Sequence, residues 1–504
     1  MDQIVAILQD QQRQLSAITE KLNSLQREQT SIVHKVTGLS NTVSSIYSQN
    51  TNLLKLNNHK QKFLTRFSDL PQEVAAHVFS WISPLVVFQY RRLSRSVNQC
   101  LLGSQFACLS IRNQGVGIVE SCSPGSHLLD CCWFFAPNIY QNVYAKVRFN
   151  QPKTFIVSRR VGSFGRGTLV GIPLAVGLFE TLKVLALPKN ELTGVLPVQL
   201  GNLVGLVELV LYDNRISGPL DVLSSLVNLQ RLSLDNNNVS GLIPSSFANL
   251  HNLEVFSAKG NCLTGPISPL CNLKKLTWLD LSHNRLSSCI PAEIGNLGKL
   301  EMLLLGNNEL SGPIPSEISN LTHLHSINLE QNQLTGRIPV ELGSLSQLSE
   351  IELHRNKLSG EIPDTLYNLT ALMTLSLSHN QLCGTISPLI GNLTQLETLK
   401  LHCNHLDGTI PSSISNLTDL THLDLSQNYI TGSVPKELCG LTELTEVYLN
   451  DTDLTGVLPS GLGNLFRLRR LKLGNTNVVG VIPDDVVAGS YIWELLNEAG
   501  YKRL

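Results

Sequence analysis

Leu300-Glu-Met-Leu303-Leu-Leu305-Gly-Asn-Asn308-Glu-Leu310-Ser-Gly312-Pro-Ile314-Pro315 is the clearest copy of a phrase that occurs thirteen times between about Leu182 and Pro483. Its asparagine stands at Asn190, Asn214, Asn237, Asn261, Asn284, Asn308, Asn332, Asn356, Asn380, Asn404 and Asn428, and Thr452 and Thr476 replace it in the last two copies. Successive copies are 24 residues apart, or 23 at two of the steps, so the register holds over most of the 504-residue chain. Self-similarity of this period specifies a solenoid. Leu303 and Leu305 form a short strand with both side chains inward, one period-2 step apart. Asn308 turns the chain away from the strand, and its buried amide is expected to bond backbone groups of neighbouring coils as a ladder. Gly312 supplies unusual backbone angles at the bend, Pro315 fixes the next one, and a phrase such as Ile294-Gly-Asn-Leu297 closes the coil. No coil can bury its leucines alone, but stacked coils share one core.

The segment Leu-x-x-Leu-x-Leu-x-x-Asn-x-Leu followed by Gly-x-Ile-Pro resembles the plant-type leucine-rich repeat. That resemblance covers about two-thirds of the chain and implies an α/β solenoid, a right-handed superhelix with parallel strands on its concave face. Departures are local: Ser288 stands for the bend glycine, and Asp221, Ser268 and Ser387 for the proline. At about 4.8 Å per strand the concave wall would extend about 55–60 Å. The residues flanking the inward leucines face it, and partner contacts favour Trp, Tyr and Arg. Tyr212, Trp278, Arg355, Tyr448 and Arg470 are therefore the candidate contacts for a protein target, with Glu350, Glu352, Glu446, Lys400 and Lys472 adding charge.

Upstream, residues 1–58 are written in heptads. Steps of three and four pick out Met1, Ile4, Leu8, Leu15, Ile18, Leu22, Leu25, Ile32, Val36, Leu39, Val43, Ile46 and Leu53, with Gln11, Gln29 and Asn50 interrupting. This narrow apolar seam predicts a coiled coil about 80 Å long that makes the protein a homo-oligomer. Asn50 in the seam favours a dimer, whereas Leu at a with Ile at d favours higher order.

Residues 63–106 contain Phe67-Ser-Asp-Leu70-Pro71-Gln-Glu73-Val74, continuing through Val78, Phe79, Ile82 and Pro84. Pro71 suits a helix start, Val74, Val78 and Ile82 form one stripe, and Pro84 stops the helix. The pattern resembles the F-box, which implies that Leu70, Pro71, Val74, Val78, Ile82 and Pro84 dock a Skp-type adaptor of a cullin–RING ubiquitin ligase. Val86 and Val97 depart from that pattern, and a helical cap with apolar stripes is the alternative. The aromatic-rich connector over 107–166 would shield the open end of the repeats at 167–484. A partial coil at Gly171-Ile-Pro173 would lead in, and residues 485–504, with Tyr491, Ile492, Trp493, Leu495 and Leu496, would cap the far end as a helix.

With 38 basic and 39 acidic residues there is no electrostatic argument for nucleic acid or an anionic membrane as partner. No run is long and apolar enough to span a bilayer, and Met1–Asp10 lacks the flank and core of a secretory signal. Eleven scattered cysteines suit free thiols in a reducing compartment, so an intracellular location is expected. The repeat itself generates four of the six Asn-x-Ser/Thr sequons (Asn238, Asn320, Asn368, Asn392, Asn416, Asn450). His354, His379, His402, Cys403 and His422 fall on the expected concave face but look staggered along the strands, so no metal is expected. Gly162-Ser-Phe-Gly165-Arg-Gly167 lacks the lysine of a phosphate loop. With no catalytic set and no cofactor motif, the expected role is binding. The substrate-recognition subunit of a ubiquitin ligase is the first reading, and an oligomeric scaffold without ubiquitin chemistry the alternative.

Overall fold

The computed structural model describes residues 133–134, 136–148, 152–157, 170–498 and 500–501, with single helical positions at 76, 79, 80, 99, 106, 107 and 109. The chain divides into two compact units, Met1–Leu70 and Pro71–Leu504. The coiled coil expected over 1–58 lies outside the described residues, as do the adaptor-docking positions Leu70, Pro71, Val74, Val78, Ile82 and Pro84.

Each repeat contributes one three-residue strand to a 14-stranded, all-parallel sheet whose strands lie in chain order, each joined to the next by the rest of its coil. The register is constant: Met302, Leu303 and Leu304 pair with Ser326, Ile327 and Asn328 of the next coil. Leu303 and Leu305 are fully buried, as the alternation requires. The first strand, Thr154–Ile156, pairs with Val184–Ala186 and lies in the segment read as connector. Phe155 and Val157, both fully buried, stand where later coils place their two inward leucines. The sheet therefore starts one coil earlier than the leucine pattern.

The asparagine ladder is present as expected. Asn308 Nδ2 donates to Leu281 O of the previous coil at 2.9 Å and to Leu305 O of its own at 3.0 Å. Its Oδ1 accepts from the backbone N–H of Leu286 at 2.9 Å. The same set recurs at Asn332, Asn356, Asn380 and Asn404. One side chain thus satisfies three buried backbone groups, each bond stabilising by about 1 kcal/mol net.

The bend was expected to be a turn, and it is also a sheet. Glu309–Gly312 and its equivalents form a second parallel sheet of ten strands, from Thr193–Val195 to His405–Asp407. Each corner repeats the same backbone course 24 residues on, so corner donors and acceptors of adjacent coils come opposite each other. Gly312 closes its strand at φ +76°. Ser288 takes the same left-handed angle, φ +79°, with a side chain. Pro315, at φ −71°, opens a one-turn 3₁₀ helix over Ser316–Asn320. Ser387 keeps the proline angles, φ −62° and ψ 142°, and accepts a bond from Leu389 N. In the closing phrase a Cβ on Gly295 would stand 2.5 Å from Glu317 O, so the glycine lets the next coil pack against it.

The N-terminal end is closed by aromatic side chains. Buried Trp133 lies 5.5 Å from Phe155 and 5.6 Å from Phe179, ring centre to ring centre. Its indole donates to Gln141 O at 2.9 Å, and the Gln141 amide donates back to Trp133 O at 3.0 Å. Gln141 belongs to helix α1 (Asn138–Arg148), whose Tyr140 packs on Phe106. At the other end helix α2 (Tyr491–Glu498) buries Ile492 and Leu496 on the last coil, and Tyr491 Oη donates to Arg469 O at 3.1 Å.

Candidate functional site

The long sheet presents its non-leucine positions as columns, because a constant register stacks equivalent residues of successive coils. The residue before the first inward leucine forms one column (Trp278, Glu350, Arg470) and the residue after it the next (Glu352, Tyr448). Tyr212 stands one position beyond the strand pair, with Lys189 Nζ 5.8 Å over its ring. Arg355 is not on a strand. It occupies the corner that follows, exposed, at φ +56°, and its backbone N–H donates to Ser378 O of the next coil at 2.9 Å.

The candidate residues form separate stations. At the first, Trp278 is 39% exposed. The register sets it between Val255 and Met302, both half-buried, making an apolar patch. The sequence reading named the tryptophan and missed its flanks, which only the pairing of three coils brings together.

The second station lies three strands on, about 14 Å at ordinary strand spacing. Glu350 accepts from Ser326 Oγ at 2.7 Å and Glu352 from Asn328 Nδ2 at 3.1 Å. Glu330 joins them through His354, whose Nε2 is 2.9 Å from Glu330 Oε2 and whose Nδ1 is 4.0 Å from Glu352 Oε2. Burial, then a hydrogen bond shared with Glu330 and the charges of Glu330 and Glu350, push the Glu352 carboxyl up to about 7. Burial likewise holds the His354 imidazole below its ordinary value, against the pull of Glu330. The station is thus an acidic group with a proton to give or lose near neutrality.

Four strands further, Tyr448 Oη donates to Glu446 Oε2 at 2.9 Å, and Arg470 Nη1 reaches Glu446 Oε1 at 3.1 Å. Lys472 Nζ sits 5.3 Å from the Tyr448 ring centre. Glu446 therefore fixes Tyr448 and Arg470 while both keep an outward edge.

Several of the histidines converge where their sequence positions read as staggered. His379 and Cys403 occupy the same corner column of adjacent coils, and His402 precedes Cys403. The donor atoms of His379, His402 and Cys403 lie within 4.8 Å of one another, as do those of Glu330, Glu352 and His354. The one-residue offset that reads as stagger is closed by side-chain length. His422 lies elsewhere, on a strand, against Thr421 Oγ1 at 2.7 Å.

Comparison with known proteins follows the same lines. Three family profiles match: a leucine-rich repeat region over residues 245–405, and leucine-rich repeats over 394–454 and 228–250. No curated protein sequence matches the chain. Among solved structures it is similar to the Arabidopsis receptor kinase HAESA in complex with the peptide hormone IDA and the co-receptor SERK1. That match has 28% identity and a TM-score of 0.59, over 80% of this chain and 67% of that one. The HAESA ectodomain with an N-terminally extended IDA peptide matches at 33% identity and a TM-score of 0.56, over 63% of this chain and 58% of that one. The chain spans 66% of a plant peptide hormone receptor and 61% of a TDR receptor, somewhat less than two-thirds of each. A leucine-rich-repeat protein of Leptospira interrogans matches at 30% identity and a TM-score of 0.50, over 71% of this chain and 94% of its own. That match spans nearly the whole of the Leptospira protein, and this chain belongs to the leucine-rich-repeat family.

Proposed function

We propose that this protein recognises an extended polypeptide laid along the long sheet. The observation that carries this reading is the set of three stations on one continuous face: apolar at Trp278, acidic at Glu350 and Glu352, and Tyr–Arg–Lys at Tyr448, Arg470 and Lys472. A partner with an apolar anchor, a basic side chain and a carboxylate, spaced about 14 and 19 Å apart, complements it. HAESA, similar in fold, is crystallised with a peptide hormone, which supports polypeptide recognition by this architecture. The role is binding, with no catalytic residue assigned. Selection of a random peptide library on the full chain tests it. Enriched peptides should carry a basic residue, lose binding to Glu350→Gln/Glu352→Gln, and lose it again to Arg470→Glu. Enrichment indifferent to all three substitutions would end the proposal.

The finer reading is that the bound polypeptide is a ubiquitin-ligase substrate and the Leu70–Pro84 segment the adaptor dock, with residues 1–58 raising avidity by oligomerisation. It is supported by the F-box-like residues alone. A complex with a purified Skp-type adaptor that is lost in Leu70→Ala/Val78→Ala is the expected result. No complex leaves the scaffold reading. An intracellular location is part of the same proposal. The described cysteines Cys262, Cys271, Cys289, Cys383, Cys403 and Cys439 are free thiols, and no described helix is long and apolar enough to cross a membrane. Glycan on the exposed sequon Asn320, Asn368, Asn392 or Asn416 would overturn it.

A further inference from the structure

The corner column that carries Arg355 also carries His379 and Cys403 on the next two coils, with His402 beside Cys403. Two imidazoles and one thiol converge there, their donor atoms within 4.8 Å of one another. The His379 and His402 rings meet edge to face, 5.0 Å between centres. His402 Nδ1 lies 3.0 Å from Asp424 Oδ2 on the following coil. Asp424 is itself held by Ser426, whose N–H and Oγ donate to Oδ1 at 3.1 and 2.6 Å. The approach lacks hydrogen-bond geometry as it stands, and a small turn of the ring would set Nδ1–H on the carboxylate and leave Nε2 for a metal. A carboxylate behind an imidazole is the usual support of a metal-ligating histidine.

We propose that His379, His402 and Cys403 bind a borderline-soft divalent transition metal, Zn2+ by preference. Imidazole nitrogen and thiolate sulfur are both zinc donors, and three protein ligands leave one position of its tetrahedron open, although two histidines and one cysteine are also a set that copper takes. Tetrahedral zinc with Zn–N of about 2.0–2.1 Å and Zn–S of about 2.3 Å sets its donors about 3.3–3.7 Å apart. Rotation of the exposed His379 and the half-buried Cys403 would close the present separations to that, Cys403 Sγ exchanging its bond to Gln427 Oε1 for the metal. Binding releases the Cys403 proton to solvent as the thiolate forms its bond to the metal. The corner backbone is held on both sides: Cys403 N donates to Ser426 O at 3.0 Å and His379 N to His402 O at 2.9 Å. The metal site itself does not depend on the proposed recognition function.

The test uses the full chain stripped of metal with a chelator and titrated with Co2+, then Zn2+. One equivalent of Co2+ should raise a thiolate-to-cobalt charge-transfer band that one equivalent of Zn2+ abolishes. Cys403→Ser should lose the band. His379→Ala, which keeps every thiol and changes an exposed side chain, should weaken Co2+ binding by at least about ten-fold. Asp424→Asn should weaken it by about ten-fold while leaving the band in place. His354→Ala should change nothing, which separates this site from the Glu330–Glu352–His354 cluster. A chain with no such band, or a band that survives unchanged in both Cys403→Ser and His379→Ala, overturns the proposal.

Discussion

The coils that carry asparagine and the two that carry threonine share the inward leucines and the sheet register, yet differ in how they hold to their neighbours. Asn308 ties three backbone groups in two coils. Thr452 Oγ1 donates to Leu449 O of its own coil at 2.7 Å, and Thr476 Oγ1 to Leu473 O at 2.8 Å. A hydroxyl one bond shorter than an amide cannot also reach the coil before it. The second sheet is interrupted one coil earlier, at the coil that still carries Asn428. It ends at His405–Asp407, narrows to the bridge between Thr409 and Thr431, and resumes as a separate pair at Thr455–Val457 and Asn477–Val479. Apolar burial makes the solenoid and polar bonding makes it cohere. The coils after about residue 430 have the first with less of the second, so they should open first.

Asn308→Ala breaks the comparison most directly. It orphans Leu286 N–H and removes one of the two asparagine bonds that Leu281 O and Leu305 O each accept, and should cost about 2–4 kcal/mol. Urea unfolding would show it, with amide exchange rising in the two flanking coils. Thr452→Asn runs the other way. It should restore the inter-coil bonds, stabilise by about 1–2 kcal/mol, and raise exchange protection around Thr455–Val457. No gain there would mean the corner is too distorted to accept the amide.

Glu352→Gln probes the middle coils through pH. The folded-state carboxyl titrates at about 7, above its unfolded value, so the folded state holds more protons between about pH 4.5 and 7. Its contribution is complete below the unfolded value and is lost as pH rises through about 7, and His354, depressed by burial, partly opposes this. The half-buried setting reduces the effect to about 1–2 kcal/mol. Thermal melts of Glu352→Gln should fall less between pH 5 and 8 than those of the parent. Ser288→Gly is the smallest change. It relieves a left-handed serine at φ +79° and should add about 0.5–1 kcal/mol. A melt shifted downward would show that the serine side chain contributes more than its backbone angle costs.

How much was legible follows from where each feature is encoded. Leu303, Leu305, Asn308 and Gly312 repeat at a fixed period, so their inward, ladder and bend roles could be read from one coil. The second sheet could not, because Glu309–Gly312 becomes a strand only when the same corner is stacked beside it. Thr154–Ile156 escaped because Phe155 and Val157 fill the leucine places without the motif. Among the site residues, Trp278, Glu350, Glu352, Tyr448 and Arg470 fall on the sheet face, whereas Arg355 sits at the corner. Their partners Val255, Met302 and Glu330 lie 22 to 24 residues away and are brought close by stacking. Reading every candidate against the residues one repeat earlier and one repeat later would have found them.

The corner after each strand has one further consequence. Lys189, Asp213, Asn236, His283, Asn307, Gln331, Arg355, His379, Cys403, Gln427, Asp451 and Asn475 all take positive φ there, and Gly260 completes the row. Valine, isoleucine and threonine, branched at Cβ, are the side chains such angles tolerate least. The rim of the binding face is thus written in a restricted alphabet of amides, acids, bases, imidazoles and a thiol. Drift in sequence along this edge keeps exchanging one hydrogen-bonding or metal-seeking group for another, so the backbone itself biases what the protein can evolve to hold.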